Sequence, residues 1–331
     1  MMADLVIQNI FSPFALFFLL GLLAAVLKSD LKFPDAAGAT MGIFLLAAIG
    51  LRAGVDVSKV GLDGTILTSA VAATAVGALL AAISFYCLRS KLIGLDPSNA
   101  GSVAGHFAAV SSATLVMTVV FLEQQQVLYD AFVPGLYPFM DTAALVVAII
   151  LARIGLNSGE NAGNDYSIRD ILREALTART TILLLGGLTI GFIAGESGTQ
   201  KVMPLFDSLF HGVTTLFMLE MGVLAGSRLS ELKGMSKLII GYGLVMPFIN
   251  MFIGAVVAAL LGLGPGGITI FAIGLAGSCS YISAPIVMRT ALPNANPSLS
   301  LGLSLLVAFP LNITLRIPLA YQLALSLDKL F

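Results

Sequence analysis

Tryptophan is absent, and cysteine and histidine occur only twice each in 331 residues. Cys87 and Cys279 both fall inside apolar runs, so neither a disulfide framework nor a metal-ligand spacing can be assembled. Charge is scarce as well. Asp, Glu, Lys and Arg make up 11% of the chain, less than half of the roughly 25% found in a soluble domain. Too little charge is present to clothe a globular surface. The formal net charge of −1 provides no basic face, and nothing points to a nucleic-acid partner.

Apolar side chains take up the difference. They account for 58% of the residues, the mean hydropathy is +0.99, and they gather in long runs. A helix needs about 20 apolar residues to cross roughly 30 Å of hydrocarbon. The chain is therefore expected to be an all-α, polytopic membrane protein. The stretch MMADLVIQNIFSPF carries an acid and no basic residue, which reads as a retained span and not a cleaved signal. Apolar windows bounded by charge, Pro or Gly predict ten spans: 5–27, 34–52, 65–88, 98–122, 129–153, 180–195, 203–226, 237–262, 267–289 and 297–327. The polar stretch 155–179 reads as a loop leading into a short amphipathic helix at the membrane surface.

Basic residues orient these spans. Lys28, Lys32, Arg89, Lys91, Arg153, Arg169, Arg173, Arg179, Arg228, Lys233, Lys237 and Arg289 follow odd-numbered spans, whereas only Arg52, Lys59, Lys201 and Lys329 lie on the opposite side. By the positive-inside rule the odd-span loops are cytoplasmic, in an inner (plasma) membrane, with both termini outside.

The chain also repeats itself. Gly50-x-x-Ala53-Gly54-x-x-Val57-Ser58 returns 172 residues later as Gly222-x-x-Ala225-Gly226-x-x-Leu229-Ser230. Ala104-Gly105, followed by Val110-Ser111, returns as Ala276-Gly277, followed by Ile282-Ser283, and Pro138 maps onto Pro310, both at that same offset of 172. The stretch from Gly77 to Ala82 returns at 254–259. Five spans per copy is an odd number, so the second copy, 180–331, must enter the membrane inverted with respect to the first, 1–154. Inverted repeats are a hallmark of secondary transporters, whose substrates bind near the midplane where the repeats meet.

Two matched segments interrupt their spans with small and hydroxyl residues: Gly105-His-Phe-Ala-Ala-Val-Ser-Ser-Ala-Thr114 in span 4, and Gly277-Ser-Cys-Ser-Tyr-Ile-Ser-Ala-Pro285 in span 9. Irregular backbone at membrane depth survives only when buried in protein or lining a wet cavity. Broken helices meeting there would turn N-termini toward an anion and carbonyl ends toward a cation. Ser111, Ser112, Thr114, Ser278, Ser280 and Ser283 would add neutral donors and acceptors. The competing explanation is close helix packing, with each hydroxyl bonded back onto its own helix.

Other intramembrane groups fit less simply. Asp141, three residues after Pro138, and Glu220, in mid-span, are candidates for a coupling ion. Arg316 either snorkels outward or faces the interior. It should lie roughly 13 Å from Asp141 along the membrane normal, too far for an ion pair. His106 and His211 sit among apolar neighbours and read as packed, neutral side chains. Gly50/Gly54 and Gly222/Gly226 read as packing surfaces, and Asn296-Pro297-Ser298 as a helix start. An intramembrane hydrolase is the contrasting class, since Gly277-Ser-Cys-Ser superficially matches a nucleophile turn. It leaves 105–114 without a role, and no catalytic residues are assigned. An anion channel shares the inverted repeat.

Together, LYPFMDTAALVVAIILA, FAAVSSAT, LFHGVTTLFMLEMGVLAGSRLSELK and MRTALPNANPSLSLG resemble the sodium-dependent bicarbonate symporter family of cyanobacteria across nearly the whole chain. The resemblance implies a gate domain of helices 1, 2, 6 and 7 and a core domain of helices 3–5 and 8–10, working as an elevator. It also implies a homotrimer, bicarbonate and sodium as cargo with no cofactor, and a PII-type regulator on the cytoplasmic face. The site carried over comprises Ala109, Val110, Ser111, Thr114, Ser278, Ser280 and Ser283, with Asp141 nearby and Tyr281 within the same segment. The chain departs from the pattern at one telling point. Where the family tends to read SSSDISGP, this sequence reads Ser278-Cys-Ser-Tyr281-Ile-Ser-Ala-Pro285. Glu220 stands where an apolar residue is expected, and the 155–179 loop is short. Sodium-coupled bicarbonate uptake is the expectation, with another small monovalent anion, or proton coupling, as the alternative.

Overall fold

The computed structural model describes residues 2–61, 64–157, 169, 173 and 176–330. It contains helices and turns, with no strand among the described residues. Met2–Ile10 (α1) and Pro13–Val26 (α2) meet at 50°. The bend has a local cause: Pro13 opens α2 while the Ser12 hydroxyl accepts the Ala15 N–H at 3.3 Å, so the chain restarts with its own cap. Then follow Asp35–Val60 (α3), Gly64–Arg89 (α4), Pro97–Ala108 (α5), Ser112–Gln124 (α6) and Tyr137–Asn157 (α7). The second half holds Arg179–Thr199 (α8), Met203–Ser227 (α9), Lys237–Leu260 (α10), Pro265–Ala276 (α11), Ala284–Ala291 (α12) and Pro297–Leu327 (α13).

Among the described residues, eight helical stretches are long and apolar enough to cross a membrane, counting α5 and α6 as one, and the bent α1–α2 pair makes nine. The span expected at 267–289 is two short helices, α11 and α12, separated by a break where the sequence places its polar interruption. One difference concerns span 2. The sequence reading stopped it at Arg52, yet α3 runs on to Val60. Arg52 is paired with acids there (below), so its charge does not end the helix. The surface helix expected within 155–179 falls largely outside the described residues.

Glycines set which helices lie together. On α3, a Cβ at Gly50 would come within 2.7 Å of the Leu184 carbonyl oxygen, and one at Gly54 would collide with the backbone of Leu188 and Phe192. Gly187 and Gly191 of α8 face them in the same way. Gly21 of α2 and Gly222 of α9 likewise abut each other's backbone. So α3 pairs with α8, α2 with α9, and α3 also touches α9. The sequence had marked Gly50/Gly54 and Gly222/Gly226 as packing surfaces; the structure supplies their partners.

The other helices form a second group. α4, α5 and α7 pack mutually, as do α10, α11 and α13, and α6 lies on α11. The α5–α6 span runs through the middle: 94% of its apolar window is buried, against 17% for α8. α11 is wound as a π-helix over Ile270–Ala276, as is α13 over Gly302–Ala308 and Asn312–Arg316. Such wide turns are uncommon and often mark functional segments. Pro310 lies between the two wide stretches of α13, and Pro318 just beyond the second, each removing a donor from the ladder.

Candidate functional site

α5 and α11 both end abruptly in the middle of the molecule. Ala109 and Ser111 take extended backbone, and Ser111 then caps α6 by accepting the Thr114 N–H at 3.3 Å. The second break, 277–283, holds Cys279 at φ +61°. That is the left-handed region, where a non-glycine residue is strained by roughly 1–3 kcal/mol.

The two breaks hold one another. The Ser111 N–H donates to the Ser278 hydroxyl at 2.8 Å, and Thr114 Oγ1 to the Ser278 carbonyl at 3.3 Å. In return the Ser280 N–H reaches the carbonyls of His106 and Ala109 at 2.7 and 3.1 Å. Ala109, Val110, Ser111, Thr114, Ser278 and Ser280 are all buried. Ser112 opens α6 and Ser283 sits just before α12, both half-buried. The Ser280 and Ser283 hydroxyls bond to each other at 2.9 Å.

Side chains from neighbouring helices frame the pair. Asp141 Oδ1 accepts the Val110 N–H at 2.8 Å, and the Tyr137 hydroxyl donates to the Val110 carbonyl at 2.8 Å. Asn250 Nδ2 donates to the Phe107 carbonyl at 2.9 Å. Asn312 Nδ2 donates to the carbonyls of Ser278 and Gly277 at 2.9 and 3.3 Å. Asp141 therefore lies beside the first break. Tyr137, Asn250 and Asn312 went unnoticed in the sequence. Single polar residues in apolar runs carry no pattern, although Asn312 and Arg316 do share the i, i+4 spacing of one helix face.

The breaks are not equivalent. In the first, the N–H groups of Val110, Ser111 and Thr114 have protein partners, whereas those of Ser112 and Ala113 have none among the described residues. In the second, those of Tyr281, Ile282 and Ser283 have none among the described residues. Three successive unpaired donors ahead of a helix suit an anion, and serine oxygens with carbonyls suit a hard cation. The Tyr281 hydroxyl meets Met221 Sδ at 3.7 Å and also interacts with Ser111 of the first break, while its ring packs edge-on to Phe309 at 5.1 Å.

Three expectations need correction or refinement. Arg316 does not snorkel; it is fully buried. His211 touches the rings of Phe14 and Phe210 but is not buried among them; its side chain is half exposed, 3.4 Å from Glu123. Glu220 lies on α9 with its carboxylate against Gly38 of α3, one residue from Met221 and thus from the contact with Tyr281. His106 is buried as expected, with Nδ1 on the Ser102 carbonyl at 2.8 Å.

A charged cleft of about 1510 Å³ opens between α3, α6, α8 and α9. Across it Arg52 pairs with Glu123 of α6 and Asp207 of α9, each at 2.8 Å, and stacks 4.4 Å over Phe210. These partners lie 71 and 155 residues from Arg52, so the sequence alone does not reveal the network.

Long apolar helices around two mutually bonded interruptions define a multi-pass membrane protein. The chain belongs to the Na+-dependent bicarbonate transporter superfamily, whose family model matches residues 13–325. It is thus a transporter and not an enzyme. No curated protein matches the chain.

Proposed function

We propose that this protein takes up bicarbonate by sodium symport across the inner membrane, binding both between the two breaks. The observation that carries this reading is the row of unpaired N–H groups at Tyr281, Ile282 and Ser283. In the first break the N–H groups of Val110, Ser111 and Thr114 are already engaged. The anion sits at the start of α12 on these donors, with the hydroxyls of Ser280 and Ser283. Sodium takes the serine oxygens, Ser111 and Ser280 among them, with Asp141 close by and Glu220 contributing from α9. Energetics favour a coupling ion. Bringing one negative charge into a cell at −100 mV costs about 2.3 kcal/mol, and each tenfold accumulation adds about 1.4 kcal/mol. A co-transported sodium cancels the first term.

The architecture we assign has ten spans, with α1–α2 as one, α5–α6 as another and α11–α12 as the ninth, in two inverted repeats and with both termini outside. The α1–α2 span with α3, α8 and α9 acts as gate, and the remaining helices as a core that moves past it in the manner of an elevator. Assembly is trimeric, and the cytoplasmic face is the docking side for a PII-type protein. The test is uptake of labelled bicarbonate by purified protein in liposomes, with an inward sodium gradient or with choline in its place. Accumulation only with sodium is expected. Equal uptake in choline would end the symport reading and move proton-coupled or uncoupled transport ahead.

A further inference from the structure

Arg316 takes no part in the reading so far, yet it is one of the largest fully buried side chains in the protein. Its guanidinium donates to the carbonyls of Ala308 and Leu244 at 3.1 and 2.6 Å and to Asn312 Oδ1 at 2.9 Å, and lies 4.4 Å over the Phe248 ring. Nε has no partner, and no carboxylate lies within ion-pair distance of it among the described residues. Burying a cation without an anion is costly. A sequence that needed only packing would be served by an apolar residue here.

What Arg316 touches explains its retention. With its oxygen held by the guanidinium, the Asn312 amide has one orientation, NH2 toward the second break. There it occupies the carbonyls of Gly277 and Ser278, at the C-terminal, electronegative end of α11. The first break also has donors on its carbonyls, from Asn250 and Tyr137, but adds a carboxylate accepting an N–H. One break thus has an acid on its donor, and the other has an amide backed by a cation on its acceptors.

We infer that Arg316 and Asn312 form a positioning pair that makes the second break selective for an anion: the amide covers its carbonyls, and the buried positive charge behind it is balanced by the bound anion. The inference rests on the proposed binding between the breaks and adds the residues that set the sign of the cargo there. Neither side chain need touch the substrate.

Three variants in liposomes test it, with apparent KM for the anion and for sodium measured separately from maximal rate. Asn312→Asp is nearly isosteric, but pairs with Arg316, cancels its charge and removes the donors to Ser278. Arg316→Gln removes the charge, and Arg316→Lys keeps it. The first two should raise the anion KM about tenfold, as for a lost charge-assisted contact. Arg316→Lys should stay within about threefold of the parent, because the charge survives. A merely structural role would lower the amount of folded protein and the maximal rate in all three and leave KM in place; that result overturns the pair's role, as does an unchanged KM in Asn312→Asp. Only samples monodisperse by size exclusion are compared, and Arg316→Lys guards against misfolding of the others. The unsubstituted protein decides the underlying reading separately. If it carries nitrate or formate and not bicarbonate, the same KM ratios with that anion still decide what Arg316 and Asn312 do.

Discussion

At the scale of single residues, the breaks separate groups that bind from groups that brace. Asp141 braces: its carboxylate closes the buried Val110 N–H. Asp141→Ala strands that donor, which costs about 1–3 kcal/mol, and thermal unfolding in detergent should show it. Asp141→Asn keeps an oxygen for Val110 and removes only the charge. A near-normal melting midpoint with a raised sodium KM is expected, and an unchanged sodium KM would confine Asp141 to bracing. Tyr281 is the complementary case. Its hydroxyl lies against Met221 and interacts with Ser111, so an acid introduced there adds a charge beside a serine assigned to sodium. Tyr281→Asp should lower the sodium concentration needed for half-maximal uptake, and uptake titrated against sodium checks this. Ser111→Ala and Ser283→Ala should each weaken anion affinity, the first through loss of the α6 cap and the second through loss of the Ser280 partner. Unaltered affinity in both would reduce the hydroxyls to packing.

At the scale of elements, the glycine matches could be read from the sequence because close helix packing needs small residues at a fixed spacing. Their partners could not, since Gly187, Gly191 and Gly21 lie in runs where any register is equally apolar. The offset that pairs Gly77 with Gly254 is likewise visible in the sequence, yet the two residues face different neighbours. Gly77 abuts Met140 of α7, and Gly254 abuts Ala272 of α11. Repeated small residues therefore mark contact surfaces without naming what they contact. Gly54→Ala should test how tight those surfaces are, because its Cβ would fall on the backbone of α8, which cannot rotate aside. Overpacking of this kind costs about 1–3 kcal/mol, and the melting midpoint should drop. Gly42→Ala, on the same helix with open space around the new Cβ, should leave it in place or raise it. Equal midpoints for the two would mean that α3 and α8 are free to slide.

At the scale of the whole molecule, the sequence showed that two polar interruptions belong together, because their residues match at one offset. It did not show the network that spans the cleft, which joins residues far apart in the chain. That network connects the two packing groups. Arg52 of α3 and Asp207 of α9 belong to the glycine-packed group, and Glu123 of α6 belongs to the other. α1 makes a second bridge, where Asn9 reaches the carbonyls of Ile313 and Thr314 in α13. If the core moves past the gate during transport, the Arg52–Glu123 contact must break once per cycle, whereas a fixed pore would keep it throughout. Cysteines at both positions, in a background where the exposed Cys87 is replaced by serine and the buried Cys279 is kept, can be joined by a short bifunctional thiol reagent. Cross-linking should abolish sodium-driven uptake, and a reducible linker should restore it on cleavage. Single-cysteine variants treated identically should continue to transport, although Arg52→Cys alone loses two ion pairs and should work at a different rate. Full uptake through a protein shown by mass to be cross-linked would mean that α3 and α6 keep their distance, and the elevator assignment would give way to a stationary path between the breaks.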